Sequence, residues 1–234
     1  MIHMSLSENI AAVRANIAAA EQAAGRRPGS VTLVAATKTQ SSDTIRAAIA
    51  AGITVCGENR VQELTAHLDD FAYDGAAVHF IGHLQTNKVK FVVGRVDLIE
   101  SVSSLKLLET IDAHAARLAV TQDILLEVNI GGEASKSGFD PRSLPAAVRR
   151  ASELPCVRLR GLMAIPPASS CPEDSRPFFR QMRKLFIDIG GNMEDNSGSD
   201  ICCLSMGMSA DYPAAVAEGA TLVRVGTALF GPRT

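Results

Sequence analysis

The sequence predicts a (β/α)8 barrel, an α/β fold of eight parallel strands, with one extra helix at the amino terminus. Three observations carry this: eight short apolar runs, amphipathic stretches between them, and an alternation that continues to the carboxyl terminus without a break in composition. At 234 residues, with no linker or low-complexity segment, the expectation is one domain over residues 1–234. The alternative is an open doubly wound sheet, but no glycine-rich turn follows the first strand.

The extra helix comes first. In "SLSENIAAVRANIAAAEQAAG", Ser5 and Glu8 form a capping box, Ile10, Val13 and Ile17 mark a buried stripe, and Gly25 stands at the stop. The strands follow as "VTLVAATK", "ITVCGEN", "AVHFIGH", "DLIESV", "DILLEVNI", "VRLRGLMAI", "ICCLSMG" and "TLVRVG". Between them, "SDTIRAAIAAG", "SSLKLLETIDAHAARLA", "LPAAVRRASEL" and "FFRQMRKLFIDIGG" carry apolar residues at spacings of three and four, as helices do. The stretch "GGNMEDNSGSD" at 190–200 reads as a loop.

Composition narrows the function. A net charge of -2 gives no basic field to attract nucleic acid or an anionic membrane. No run is long enough to span a bilayer and the N-terminus lacks a signal-peptide pattern, so the expectation is a cytoplasmic protein. Five cysteines without a C-x-x-C indicate neither a disulfide framework nor a zinc ribbon. His79 and His83 have metal-ligand spacing for a helix, but on a strand they stand roughly 13 Å apart and cannot share an ion.

In such barrels chemistry collects at the carboxyl ends of the strands, and phosphate often sits in the loops after strands seven and eight. Polar residues fall there: Lys38 ends strand one, Glu58 and Asn59 strand two, His83 strand three and Asn129 strand five. Alternation from Thr32 through Val34 and Ala36 places Lys38 on the inner face, where a partly buried amine can attack a carbonyl. Gly226 permits close backbone approach, Thr227 adds a hydroxyl, and Ser205, Gly207 and Ser209 offer donors from the seventh loop. Arg224 shares a face with Leu222, with Glu58 or Asp211 as an expected partner, and Asp211 reads as the N-cap of a helix that begins with proline. A reactive lysine opposite a phosphate cradle suits pyridoxal phosphate; a Schiff-base aldolase acting on a sugar phosphate would use the same pair.

The motifs "VAATKTQ", "CGENRVQE", "HFIGHLQTNK", "LLEVNIGGEASKSGF", "LRGLMAIPP", "LSMGMSADY" and "VRVGTALFG", in this order, resemble the pyridoxal phosphate homeostasis proteins, the YggS or PROSC family. The resemblance implies a fold type III barrel like the N-terminal domain of alanine racemase, with Lys38 holding pyridoxal 5'-phosphate as an internal aldimine. It implies that Ser209, Gly226 and Thr227 hold the phosphate, with Met206 and Gly207 lining that loop. Arg224 would face the pyridine nitrogen, and Asn59 and His83 would line the pocket. A cationic arginine there disfavours protonation of the ring nitrogen and so weakens the ring as an electron sink. The implied function is therefore reversible holding of the cofactor without turnover, with transfer to pyridoxal phosphate-dependent apoenzymes. An amino-acid racemase is the alternative, but it needs a second acid/base, which in alanine racemase is a tyrosine of the partner's second domain. Here Tyr73 is expected at the wrong end of the barrel and Tyr212 at the start of a helix, and a monomer is expected. The chain departs from the family in Arg60, where an aromatic is common, and in Val78, where tryptophan is. Lys136 matches a family lysine near the pocket entrance, although its setting reads as a solvated loop.

Overall fold

The computed structural model describes residues 5–133, 135–169, 171–190 and 201–231. The loop expected at 190–200 lies, after Gly190, outside the described residues. Parallel strands β1 (Thr32–Ala36), β2 (Val55–Glu58), β3 (Ala77–Phe80), β4 (Leu98–Val102), β5 (Gln122–Val128), β6 (Val157–Ala164), β7 (Cys203–Ser205) and β8 (Leu222–Val225) close a barrel in sequence order. The first and last strands complete it, with Thr32 opposite Leu222 and Ala35 opposite Val225.

Both faces of these strands are covered, which is why they read as nearly continuous apolar runs. Val34, Ala36, Val55, Ile81, Leu98, Leu125, Met163 and Leu222 pack inside the barrel. Their alternates, among them Leu33, Ala35, Cys56, Phe80 and Ile99, face outward into a larger core beneath the helices. That core is covered by α1 (Leu6–Ala23), α2 (Ser42–Ala50), α3 (Val61–Asp69), α4 (Leu105–Leu118), α5 (Leu144–Glu153), α6 (Arg176–Asp188), α7 (Tyr212–Ala217) and the short α8 (Thr227–Phe230). Between β3 and β4 the connection is a 3-10 helix, Thr86–Phe91. Among the described residues no helix is long and apolar enough to cross a membrane.

The capping box of α1 is present: the Glu8 N–H donates to Ser5 Oγ at 3.3 Å, and the Ser5 N–H to Glu8 Oε2 at 2.6 Å. Ile10, Val13 and Ile17 are buried against the barrel, and Gly25 adopts φ +65° just past the helix end. Also buried on this helix is Glu21, whose carboxylate accepts the N–H groups of Gly29 and Val31 at 3.0 and 2.9 Å. It thereby steers the chain into β1.

One close approach shapes the far side of the barrel. Gly161 in β6 has φ +150°, and a Cβ there would lie 1.8 Å from the Cys203 carbonyl oxygen of β7. Only glycine fits. Gly161→Ala is expected to cost about 3 kcal/mol or more, since both the backbone conformation and the β6–β7 contact must give way. Urea unfolding measures this, and an unchanged midpoint would contradict the close packing described.

Candidate functional site

The carboxyl ends of the strands form one mouth. β1 stops at Ala36, two residues before Lys38, so Lys38 is positioned by a turn as well as by strand alternation. The turn is closed by the Gln40 N–H donating to the Thr37 carbonyl at 3.0 Å. Its third residue, Thr39, has φ +65°, an uncommon conformation for a β-branched side chain. The Thr39 N–H donates to Glu63 Oε2 at 2.9 Å, and Glu63 pairs with Arg60 at 3.2 Å. Before the turn, the Thr37 N–H donates to the Gly57 carbonyl at 2.9 Å and its hydroxyl to Glu58 Oε2 at 3.1 Å. Lys38 is therefore anchored on both sides, and is itself partly buried.

Next to β1 around the barrel stand the loops after β7 and β8. The N–H groups of Gly226 and Ala228 converge on Ser209 Oγ at 3.1 and 3.3 Å, with Thr227 exposed beside them. Gly207 has φ +91°, and a Cβ there would come within 2.5 Å of Ala215 Cβ on α7. Its carbonyl accepts the Arg224 N–H at 3.0 Å, which ties the two loops together. Met206 gives the loop only its backbone, because its side chain is fully buried in the outer core.

Beneath the mouth, Arg224 is 4 % exposed and points inward with Leu222. Its guanidinium donates to Ser205 Oγ and, at 2.9 Å, to the Ala164 carbonyl, with Glu100 Oε2 at 3.8 Å. The partner is thus Glu100; Glu58 faces the outer core, and Asp211 accepts the Met208 N–H at 2.7 Å instead of capping α7 by its side chain. Burial would raise the Glu100 carboxyl, but the His79 hydrogen bond at 2.7 Å, the Arg224 charge and the Ser205 hydroxyl hold it below its usual value. Burial likewise lowers Arg224, opposed by Glu100, Glu127 and Asp211. His79 and His83 do part company, as the strand spacing requires: His79 turns to Glu100, while His83 Nδ1 lies 3.1 Å from Ser137 Oγ.

Toward β2–β6 the mouth holds a cavity of about 200 Å³, lined among others by Asn59, His83, Ser101, Glu127, Asn129 and Lys136. Among the described residues, Asn59 Oδ1, Ser101 Oγ and Asn129 Oδ1 are buried there without a hydrogen-bond partner. Such orphaned polar atoms invite a polar ligand. Gly82 lets the β3 loop close over this cavity, since a Cβ there would lie 2.0 Å from the Asn59 carbonyl oxygen. Lys136 differs from the solvated lysine its setting suggested: it pairs with Glu133 at 2.5 Å and donates to the Pro166 carbonyl at 3.0 Å. Neither tyrosine lines the cavity. Tyr73 runs up behind the barrel wall to donate to Glu58 Oε2 at 3.0 Å, and the Tyr212 hydroxyl accepts from Asn16 at 3.0 Å.

Glu127 brings a half-buried carboxyl to this cavity. Burial raises its carboxyl to about 7, against the pull of Arg224. Between the ordinary 4.5 and about 7 the folded state therefore binds more protons at this site than the unfolded state, and stability falls as pH rises through that window. Glu127→Gln removes the penalty: the cofactor-free variant should exceed wild type by up to about 3 kcal/mol at pH 8, with the difference gone below about pH 5. Urea unfolding at both pH values checks the sign.

Comparison with known proteins places this geometry. Residues 9–234 match the family described as alanine racemase, N-terminal domain. A pyridoxal phosphate homeostasis protein of Aquifex aeolicus (strain VF5) is 42% identical over 230 residues, covering 98% of this chain and 99% of that protein. The structure of PipY from Synechococcus elongatus PCC7942 with PLP bound is 36% identical with a TM-score of 0.82, covering 97% of this chain and 100% of that one. An alanine racemase of Clostridium difficile 630, 13% identical with a TM-score of 0.70, shares the fold over 97% of this chain and 56% of its own. On this identity over nearly its whole length, the chain belongs to the pyridoxal phosphate homeostasis protein family, built on the fold type III barrel of the alanine racemase N-terminal domain.

Proposed function

We propose that this protein holds pyridoxal 5'-phosphate at the barrel mouth through Lys38 and serves its homeostasis as a non-catalytic carrier. What carries the reading is the placement of the Lys38 turn beside the Ser209, Gly226 and Ala228 donors, in a chain similar to PipY, whose structure has PLP bound. The residues fit the group: a lysine on an anchored turn for the aldehyde, and a hydroxyl and backbone N–H groups for the phosphate. When bound, the cofactor supplies an aldehyde that condenses with amines and a ring that accepts electrons.

The chain's own residues support holding over turnover. Lys38 would hold the cofactor by its aldehyde. Ser209, Gly226 and Thr227 would hold the phosphate, with Met206 and Gly207 shaping the loop. Arg224 would stand as a cation near the ring nitrogen and disfavour its protonation, and Asn59 and His83 would line the pocket. With both tyrosine hydroxyls engaged elsewhere, the cavity has no tyrosine to serve as a second acid/base across the ring. The protein acts as a cytoplasmic monomer, one domain over residues 1–234, and its recipients are pyridoxal phosphate-dependent apoenzymes.

Absorption spectroscopy with added pyridoxal phosphate tests this. Wild type should develop a visible band that Lys38→Ala lacks, and neither should racemise alanine. Ser209→Ala should weaken binding by about tenfold, the cost of roughly one hydrogen bond to a charged group. Equal spectra for wild type and Lys38→Ala, or measurable racemisation by wild type, would contradict the reading.

A further inference from the structure

At the opposite end of the barrel lies a second cavity, of about 810 Å³. Thr32 and Leu222, which begin β1 and β8, line it, together with Arg160, Cys202 and Cys203. Neighbours on a regular strand point to opposite faces. Cys202, just ahead of β7, and Cys203, its first residue, nevertheless both reach this cavity, and their sulfurs lie 3.7 Å apart.

Their surroundings differ. Cys202 Sγ accepts a hydrogen bond from Arg160 Nη2 at 3.3 Å, and that guanidinium also lies 3.5 Å from Asp123. A guanidinium beside a sulfur favours the thiolate. Cys203 packs against the interior cluster, where its hydrogen bond to Cys202, then burial, push its thiol up and keep it protonated. One sulfur is thus prepared to attack and the other waits beside it.

We propose that Cys202 and Cys203 form a peroxide-sensitive dithiol that closes reversibly into a disulfide between neighbouring residues. The Cys202 thiolate attacks one oxygen of hydrogen peroxide, the O–O bond breaks, and the departing hydroxide takes up a proton, leaving a sulfenic acid. Cys203 sulfur then displaces that hydroxyl: the S–S bond forms, the S–O bond breaks, and the Cys203 proton leaves with the hydroxyl as water. Two thiols are oxidised by two electrons and one peroxide is reduced to two waters.

Closure brings the sulfurs from 3.7 Å to about 2.05 Å. Adjacent Cα atoms are about 3.8 Å apart, short of the roughly 4.4 Å at which ordinary disulfides begin, so the bond is strained and easily reduced. Strain at this point has a path to the mouth, because Ser205, two residues on, bonds both Glu100 and Arg224. Resting on the proposed cofactor site, closure lowers the affinity for pyridoxal phosphate.

The full chain, treated with hydrogen peroxide and digested without reductant, gives the test by peptide mass. The expected product is a loss of two hydrogens confined to the peptide carrying residues 202 and 203, reversed by dithiothreitol, absent in Cys202→Ser and retained in Cys171→Ser. The oxidised protein should bind pyridoxal phosphate several-fold more weakly than the reduced. Oxygen addition without cross-linking, or a disulfide to Cys171 or to a second chain, would overturn the dithiol. A disulfide that leaves the affinity unchanged would overturn its link to the mouth. If the reduced protein binds no cofactor, the cofactor reading fails while the mass result still decides the dithiol.

Discussion

Everything at the mouth depends on the pairing of the first strand with the last. Four register pairs, from Thr32–Leu222 to Ala35–Val225, join segments from opposite ends of the chain. This closure sets Lys38 beside the β8 loop: a Cβ on Gly226 would touch the Cβ and carbonyl oxygen of Ala36 at 3.4 and 3.5 Å. The Lys38 turn and the loops carrying Ser209, Gly226 and Ala228 are neighbours because the sheet has no free edge between β1 and β8. Bound cofactor would bridge the same seam, so binding and barrel closure should reinforce one another.

The second constraint is charge inside the barrel. Buried ions demand partners, and Arg224 is supplied with Ser205, the Ala164 carbonyl and Glu100, which His79 holds in turn. This network draws on β3, β4, β6, β7 and β8. It places a cation under the mouth with little freedom to move. Glu127, which lines the cavity at the mouth, has its carboxyl raised by burial to about 7.

Much of this is legible in the sequence, for local reasons. Strand and helix periods, the α1 capping box and the Gly25 stop each depend on a few neighbouring residues, and the structure has them. The inward face of Arg224 follows from Leu222, one alternation away. The features that are not legible depend on contacts between distant segments. Glu100 becomes the arginine's partner through the stacking of strands and an irregular register in β4 between Ile99 and Val102. Similarly, the left-handed Thr39 is held by Glu63 from the next unit, and no turn signature in "TKTQ" announces it. Tyr73 shows the same limit: its backbone lies in the α3–β3 connection, as the alternation implies, but its long side chain reaches the end of β2. Lys136 departs from its solvated setting because its partners, Glu133 and the Pro166 carbonyl, meet only when the loops after β5 and β6 pack together.

The most direct measurement is where the cofactor becomes attached. Protein incubated with pyridoxal phosphate, reduced with borohydride and digested should carry the phosphopyridoxyl mass on the peptide containing Lys38, at a stoichiometry near one. Attachment mainly to Lys136 or to the surface lysines Lys88 and Lys90, with the Lys38 peptide unmodified, would contradict the assignment of the mouth as the cofactor site.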